Sequence, residues 1–219
     1  MAYSKGDDVG NRWAGPDVLF IEWTTESVKQ LQTDPRARWQ NHQQFLLGGV
    51  SWSDTGNHVA LKGRWMPVSV NDVKSMRLSP VIPAIRPAAF LAIINSDVFS
   101  YIVKKFINNT CMYQVNDLRQ APIVIPTKAQ AARLEALAGL ALQAKRNDLA
   151  GTHPDNALVT AVRPIEADIA LRGPAYLRPG AQQKLLATAA DCLAILERAV
   201  SWEVERLYGV EGLGPFDEF

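Results

Sequence analysis

Phe45-Leu-Leu-Gly-Gly-Val-Ser-Trp52, then Ser53-Asp-Thr-Gly-Asn57, then His58-Val-Ala-Leu-Lys-Gly-Arg-Trp65 is the stretch on which the fold turns. An apolar run, a cluster of turn formers and a resumed extended alternation predict a β-hairpin with Trp52 and Trp65 on its two arms. Upstream, Asp17-Val-Leu-Phe-Ile-Glu-Trp23 follows Gly15-Pro16 and predicts a buried strand. Thr25 then caps a short helix that Pro35 closes. Downstream, Pro80, Pro83 and Pro87 exclude a helix over 78–87 and leave an edge strand or extended crossing. Helical spacing returns at Phe90, Leu91 and Ile94. It resumes near Ser96, with Phe99, Ile102, Val103 and Phe106 on one face and Lys104 and Lys105 in the last turn. Asn108-Asn109-Thr110 breaks that helix, Cys111–Val115 reads as a strand and Pro122–Pro126 as another extended segment.

Two long helices follow. Thr127 caps the first, whose apolar face is Leu134, Leu137, Ala141 and Ala144 and which ends before Gly151. The second runs from about Ala181 to Tyr208. Its seam of Leu186, Ala189, Leu193, Leu196, Val200, Val204 and Leu207 asks for an antiparallel helical partner, and the first helix is the natural one. Between them, 152–180 is rich in Pro and Gly and reads as an irregular insertion. The expected fold is α+β: a mixed domain with a small sheet flanked by helices over 1–127, then a two-helix antiparallel spacer or docking region over 128–219.

With 219 residues, 47% of them hydrophobic and 21% charged, the chain reads as a folded globular protein. No run approaches 18 apolar residues, so no membrane span is expected. The two cysteines, Cys111 and Cys192, lie in largely apolar runs and suit reduced thiols in a cytoplasmic protein. Net charge is +1, but the basic excess lies in the first half, so a nucleic-acid face is expected there.

Much chemistry is missing. His42, His58 and His153 are not paired with other ligands at metal spacing, and HExxH, CxxC and GxSxG do not occur. Gly212 and Gly214 form the only GxG, with Pro215 next and no helix to follow, so they read as the end of the last helix. Asp17 and Glu22 resemble the acidic pair of a nuclease core, yet no Lys follows at the needed offset, and a strand edge is the simpler reading.

Lys5-Gly-Asp-Asp-Val-Gly-Asn-Arg-Trp13 with Val18–Trp23, then Gly49-Val-Ser-Trp-Ser53, then Ile94–Tyr101 with Tyr113–Pro122, resembles the C-terminal part of large bacterial N6-adenine DNA methyltransferases. These are the PglX-like enzymes of BREX phage-defence systems and related single-chain restriction-modification enzymes. The region is similar to the target-recognition domains of type I specificity subunits, over roughly residues 5 to 147. The S-adenosylmethionine loop and the NPPY-type tetrapeptide of that family are not in this chain. The resemblance therefore implies a specificity part without a catalytic centre or cofactor of its own. Its partners would be double-stranded DNA, a methyltransferase core carrying S-adenosylmethionine, or other defence-system subunits. The long helix after Pro126 and its later partner resemble the paired spacer helices that flank such recognition domains, whereas the irregular insertion after Gly151 and the Pro215–Phe219 tail have no counterpart in the resemblance.

The candidate DNA contacts are Trp52, Ser53, Asn57, Lys62 and Arg64 on the hairpin, with Lys104, Lys105, Asn109, Thr110, Tyr113 and Arg119 in the most family-like block. Arg64 suits a guanine edge and Lys62 a phosphate. Each has a structural alternative: the tryptophans fill the core, Lys104 and Lys105 complement a helix C-terminus, and Gln114 and Asp117 hold turn backbone. A protein-docking module without DNA affinity is the alternative function.

Overall fold

Side-chain caps lay out three long helices in the computed structural model, which describes residues 1–6, 10–15, 19–54, 60–178, 186–210, 212–214 and 216. Thr127 accepts the Gln130 N–H and opens α5 (Lys128–Leu149). Asp155 accepts the Leu158 N–H at 2.7 Å and opens α6 (Asn156–Arg172). Thr188 accepts the Asp191 N–H at 3.1 Å and opens α7 (Ala189–Tyr208), which Gly209 closes in the left-handed conformation.

The fold is α+β, as expected. A five-stranded mixed sheet has the order β2-β1-β4-β3-β5, with β1 Ala2–Ser4, β2 Leu19–Phe20, β3 Leu47–Ser53, β4 Arg64–Asn71 and β5 Ser75–Leu78. The hairpin is antiparallel, pairing Val50 with Trp65 and Ser51 with Arg64. Its second arm is β4, from Arg64; His58, where the sequence put the start of that arm, lies outside the described residues. β1 joins β4 in parallel, the one parallel pair among the named strands.

The shorter helices are α1 (Thr25–Thr33), α2 (Pro87–Ile94), α3 (Asp97–Ile102) and α4 (Val115–Gln120). Ala89 to Ile94 of α2 are all buried, because a helix apolar on every side must be covered on every side. It lies between the sheet and α5. α5 buries Leu134, Leu137, Ala138, Ala141 and Ala144, α7 buries Cys192, Leu196, Val200 and Val204, and the two helices pack on each other. Arg133 near the start of α5 pairs with Glu203 near the end of α7 at 2.6 Å. His153 beyond α5 meets the Ala187 carbonyl ahead of α7 at 3.3 Å, so the helices are antiparallel. One hydrophobic cluster runs from Trp13 to Leu207 and crosses residue 127.

Five local expectations are corrected. The buried strand over 17–23 is the two-residue edge strand β2, with Leu19 and Phe20 both exposed, while Asp17 lies outside the described residues. Cys111–Val115 forms no named strand: Gln114 caps α4 instead, with Asp117 accepting its N–H at 2.8 Å. The stretch 152–180 holds α6, whose Pro164 sits on the exposed side where a freed carbonyl meets water. Finally, the last helix begins at Ala189; 181–185 lie outside the described residues. Phe106, expected on the buried face, is 75% exposed. A π-helical turn over Val103–Ile107 rotates it away, marked by the Asn108 N–H donating to Val103 at 2.8 Å.

Candidate nucleic-acid interface

The π-helical turn leads into a loop, 108–114, built around Asn108. Its amide donates to the Met112 carbonyl at 2.9 Å and to Asp117 Oδ2 at 2.7 Å, while its Oδ1 accepts from the Thr110 N–H and hydroxyl. Lys104 fills the loop from beneath. Its ammonium donates to the Thr110 carbonyl and stands 5.0 Å from the centre of the Tyr113 ring. Burial holds this lysine below its ordinary range. Tyr113 is fully buried, and its carbonyl accepts from Trp52 Nε1 at 3.0 Å. The result is a loop with an ordered base and an exposed tip, Asn109 to Met112.

The loop sits on the hairpin end: the Tyr113 N–H donates to the Asp54 carbonyl at 2.9 Å and the Asp54 N–H to the Lys74 carbonyl at 3.1 Å. The Asp72 N–H donates to the Ser4 carbonyl at 2.8 Å, bringing the N-terminal strand to the same end of the sheet. Lys5 and Lys74 are exposed here, with Gly6 against Lys74, and Lys105 and Arg119 are exposed on the elements that flank the loop.

Of the sequence candidates, Lys105, Asn109, Thr110 and Arg119 are exposed and Lys62 half-exposed. Gly63 positions Lys62: the buried Asn95 amide donates to the Gly63 carbonyl at 2.9 Å and accepts its N–H at 2.8 Å. Trp52, Ser53, Arg64, Lys104 and Tyr113 are buried. Arg64 lies within the sheet, its Nε donating to Ser51 Oγ at 3.1 Å and its Nη2 to the Lys5 carbonyl and, at 3.4 Å, to Ser75 Oγ. Its guanidinium joins β4, β3, β5 and the N-terminal segment. Asn57 lies outside the described residues.

Sequence reading passed over Lys5 and Lys74, isolated cations that only tertiary pairing brings together. It also passed over a satellite cluster of rings. Trp23 and Trp39 stack with centroids 6.0 Å apart, Trp39 and His42 with centroids 5.9 Å apart, and Phe45 sets its edge to both tryptophans. Their irregular spacing carries no periodic signal; only the six tryptophans of the composition hint at it. Among the described residues no group of three or more His, Cys, Asp or Glu is placed to hold a metal ion, and no helix is long and apolar enough to cross a membrane. No protein-family model matches the chain, and no curated protein matches it.

Proposed function

We propose that the chain is a double-stranded DNA recognition module serving an N6-adenine methyltransferase of a restriction-modification or BREX-type defence system. The observation that carries this reading is the end of the sheet, where an internally braced loop with a polar tip stands among exposed lysines from separate chain segments. A pre-ordered loop contributes specificity at low entropic cost, and dispersed cations contribute sequence-independent affinity. Lys5, Lys74 and Lys105 are assigned to phosphates, and Asn109, Thr110 and Arg119 to the groove. Trp52, Arg64, Lys104 and Tyr113 are positioning residues. S-adenosylmethionine and the transfer chemistry belong to the methyltransferase core and to no residue of this chain.

The test is methylation-site sequencing in cells carrying the full enzyme with Arg119→Ala or Lys105→Ala. Arg119→Ala is expected to relax the methylated site at one position, and Lys105→Ala to lower methylation at all sites alike. Unchanged methylation in both variants overturns the assignment.

Protein docking is the second reading. A cleft of about 670 Å³ between α5 and α6 favours it, with Leu137, Leu140, Ile165 and the 79% exposed Leu171 on its walls and Arg133 and Arg172 at its rim.

A further inference from the structure

A second cleft, of about 700 Å³, opens beside β1 and α1, and Trp23, Trp39 and Phe45 of the ring cluster form part of its wall. Its size falls among small-ligand clefts. Trp23, Trp39 and His42 form a row in which successive planes differ by 21° and 15°, bracketed by Phe45 standing at 87° to Trp39. These rings stay outside the main hydrophobic cluster. Trp23 and Trp39 are only half-buried and His42 is exposed, although tryptophans with no other task are usually mostly covered. The rest of the lining is mixed. Glu22 and Asp72 bring carboxylate acceptors. Arg38 is exposed at the cleft, and the Arg36 guanidinium, 90% exposed, is steadied by Asp34 at 3.1 Å.

An aromatic face, acceptors suited to exocyclic amino groups and guanidinium groups together match a nucleobase with its phosphate. Position narrows the source. Tyr3 and Asn71 to Val73 line the cleft, and Lys5 and Lys74 follow them in the chain at the cationic end of the sheet. A strand lying across those lysines passes the mouth. We infer that the cleft takes one unpaired nucleobase of a bound DNA strand, stacked against the Trp23 and Trp39 rings that line it. The inference rests on the DNA-module reading and adds to it a site for an extrahelical base, whose removal from the helix costs least when it has no pairing partner.

The test titrates the full chain with three probes: a paired duplex, the same duplex carrying one bulged 2-aminopurine, and adenosine monophosphate. The expected result is binding of both duplexes, with the bulged one held about ten-fold more tightly, or about 1.4 kcal/mol, and its 2-aminopurine emission quenched by stacking. Trp39→Leu keeps apolar bulk without a π-face and is expected to abolish the preference while leaving paired-duplex affinity unchanged. Lys74→Ala is expected to weaken both duplexes equally. If Trp39→Leu fails to fold, Trp39→Phe decides, since it retains a stacking face and is expected to keep most of the preference. Equal affinity for the two duplexes, or an unquenched probe, overturns the cleft inference and leaves the module reading standing. Binding of neither duplex overturns both. Trp39-dependent binding of the mononucleotide alone overturns the assignment to a strand.

Discussion

Asn95 and Tyr208 each carry a tie between segments far apart in sequence. The Asn95 amide pairs with both backbone groups of Gly63 inside the protein. Removing it strands the buried Gly63 N–H, while the Gly63 carbonyl keeps its bond from the Trp13 N–H. Asn95→Ala is expected to cost about 1–3 kcal/mol in urea unfolding, and to loosen the Lys62 segment. Tyr208 donates to the Pro122 carbonyl at 2.9 Å and pins the segment before α5 onto α7. Burial pushes its phenol up to about 12. An unfolded tyrosine ionises near 10, so between those values the native state holds the proton that the unfolded chain has released. The stabilisation is complete below about pH 10 and is lost as pH rises toward 12. Thermal melts from pH 9 to 12 are expected to fall less steeply for Tyr208→Phe than for the parent. Equal slopes would place the phenol in water.

The same polarity of inside and outside separates the helices. Leu196 is fully buried in the α5–α7 contact, whereas Leu171 of α6 is 79% exposed. Leu196→Asp places a carboxylate in a dry seam and is expected to cost about 4 kcal/mol or more, while Leu171→Asp stays within about 0.5 kcal/mol. Both values come from chemical denaturation, and similar losses would mean that the seam faces solvent. Elements with strong local signals were legible in the sequence: the cap at Thr127, the helix start near Ser96, the leucine and alanine faces of α5 and α7, and the hairpin, while the cap of α1 falls at Thr24, one residue before the expected Thr25. Weak or contradictory signals misled. In α6, Leu158, Val162, Ile165 and Ile169 keep helical spacing, but Pro164 and the flanking glycines and prolines obscured it. The strand expected at 111–115 rested on propensity, which Gln114 and Asp117 overrule by capping a helix. The candidate site was legible as a region only. Which cations meet there depends on pairings such as Asp54 with Lys74, which no local pattern encodes.

At the scale of the molecule, the cluster from Trp13 to Leu207 joins the sheet to the helical half. Trp13 bonds through its backbone to Gly63 and Trp65, while its Nε1 donates to Glu197 of α7 at 2.9 Å. α2 is covered by the sheet on one side and by α5 on the other. The two halves are therefore expected to unfold together, with tryptophan fluorescence and far-ultraviolet circular dichroism giving coincident transitions; two separated midpoints would show independent domains. That shared core gives the cationic end of the sheet a rigid support. Its claim on DNA is tested most directly by fluorescence anisotropy of a labelled duplex at several salt concentrations, comparing the parent with Lys74→Ala and Lys105→Ala. Affinity is expected to fall steeply with salt, and the log–log slope to be lower by about one for each variant. A duplex affinity that is absent at low salt, or a slope unchanged in both variants, would contradict it.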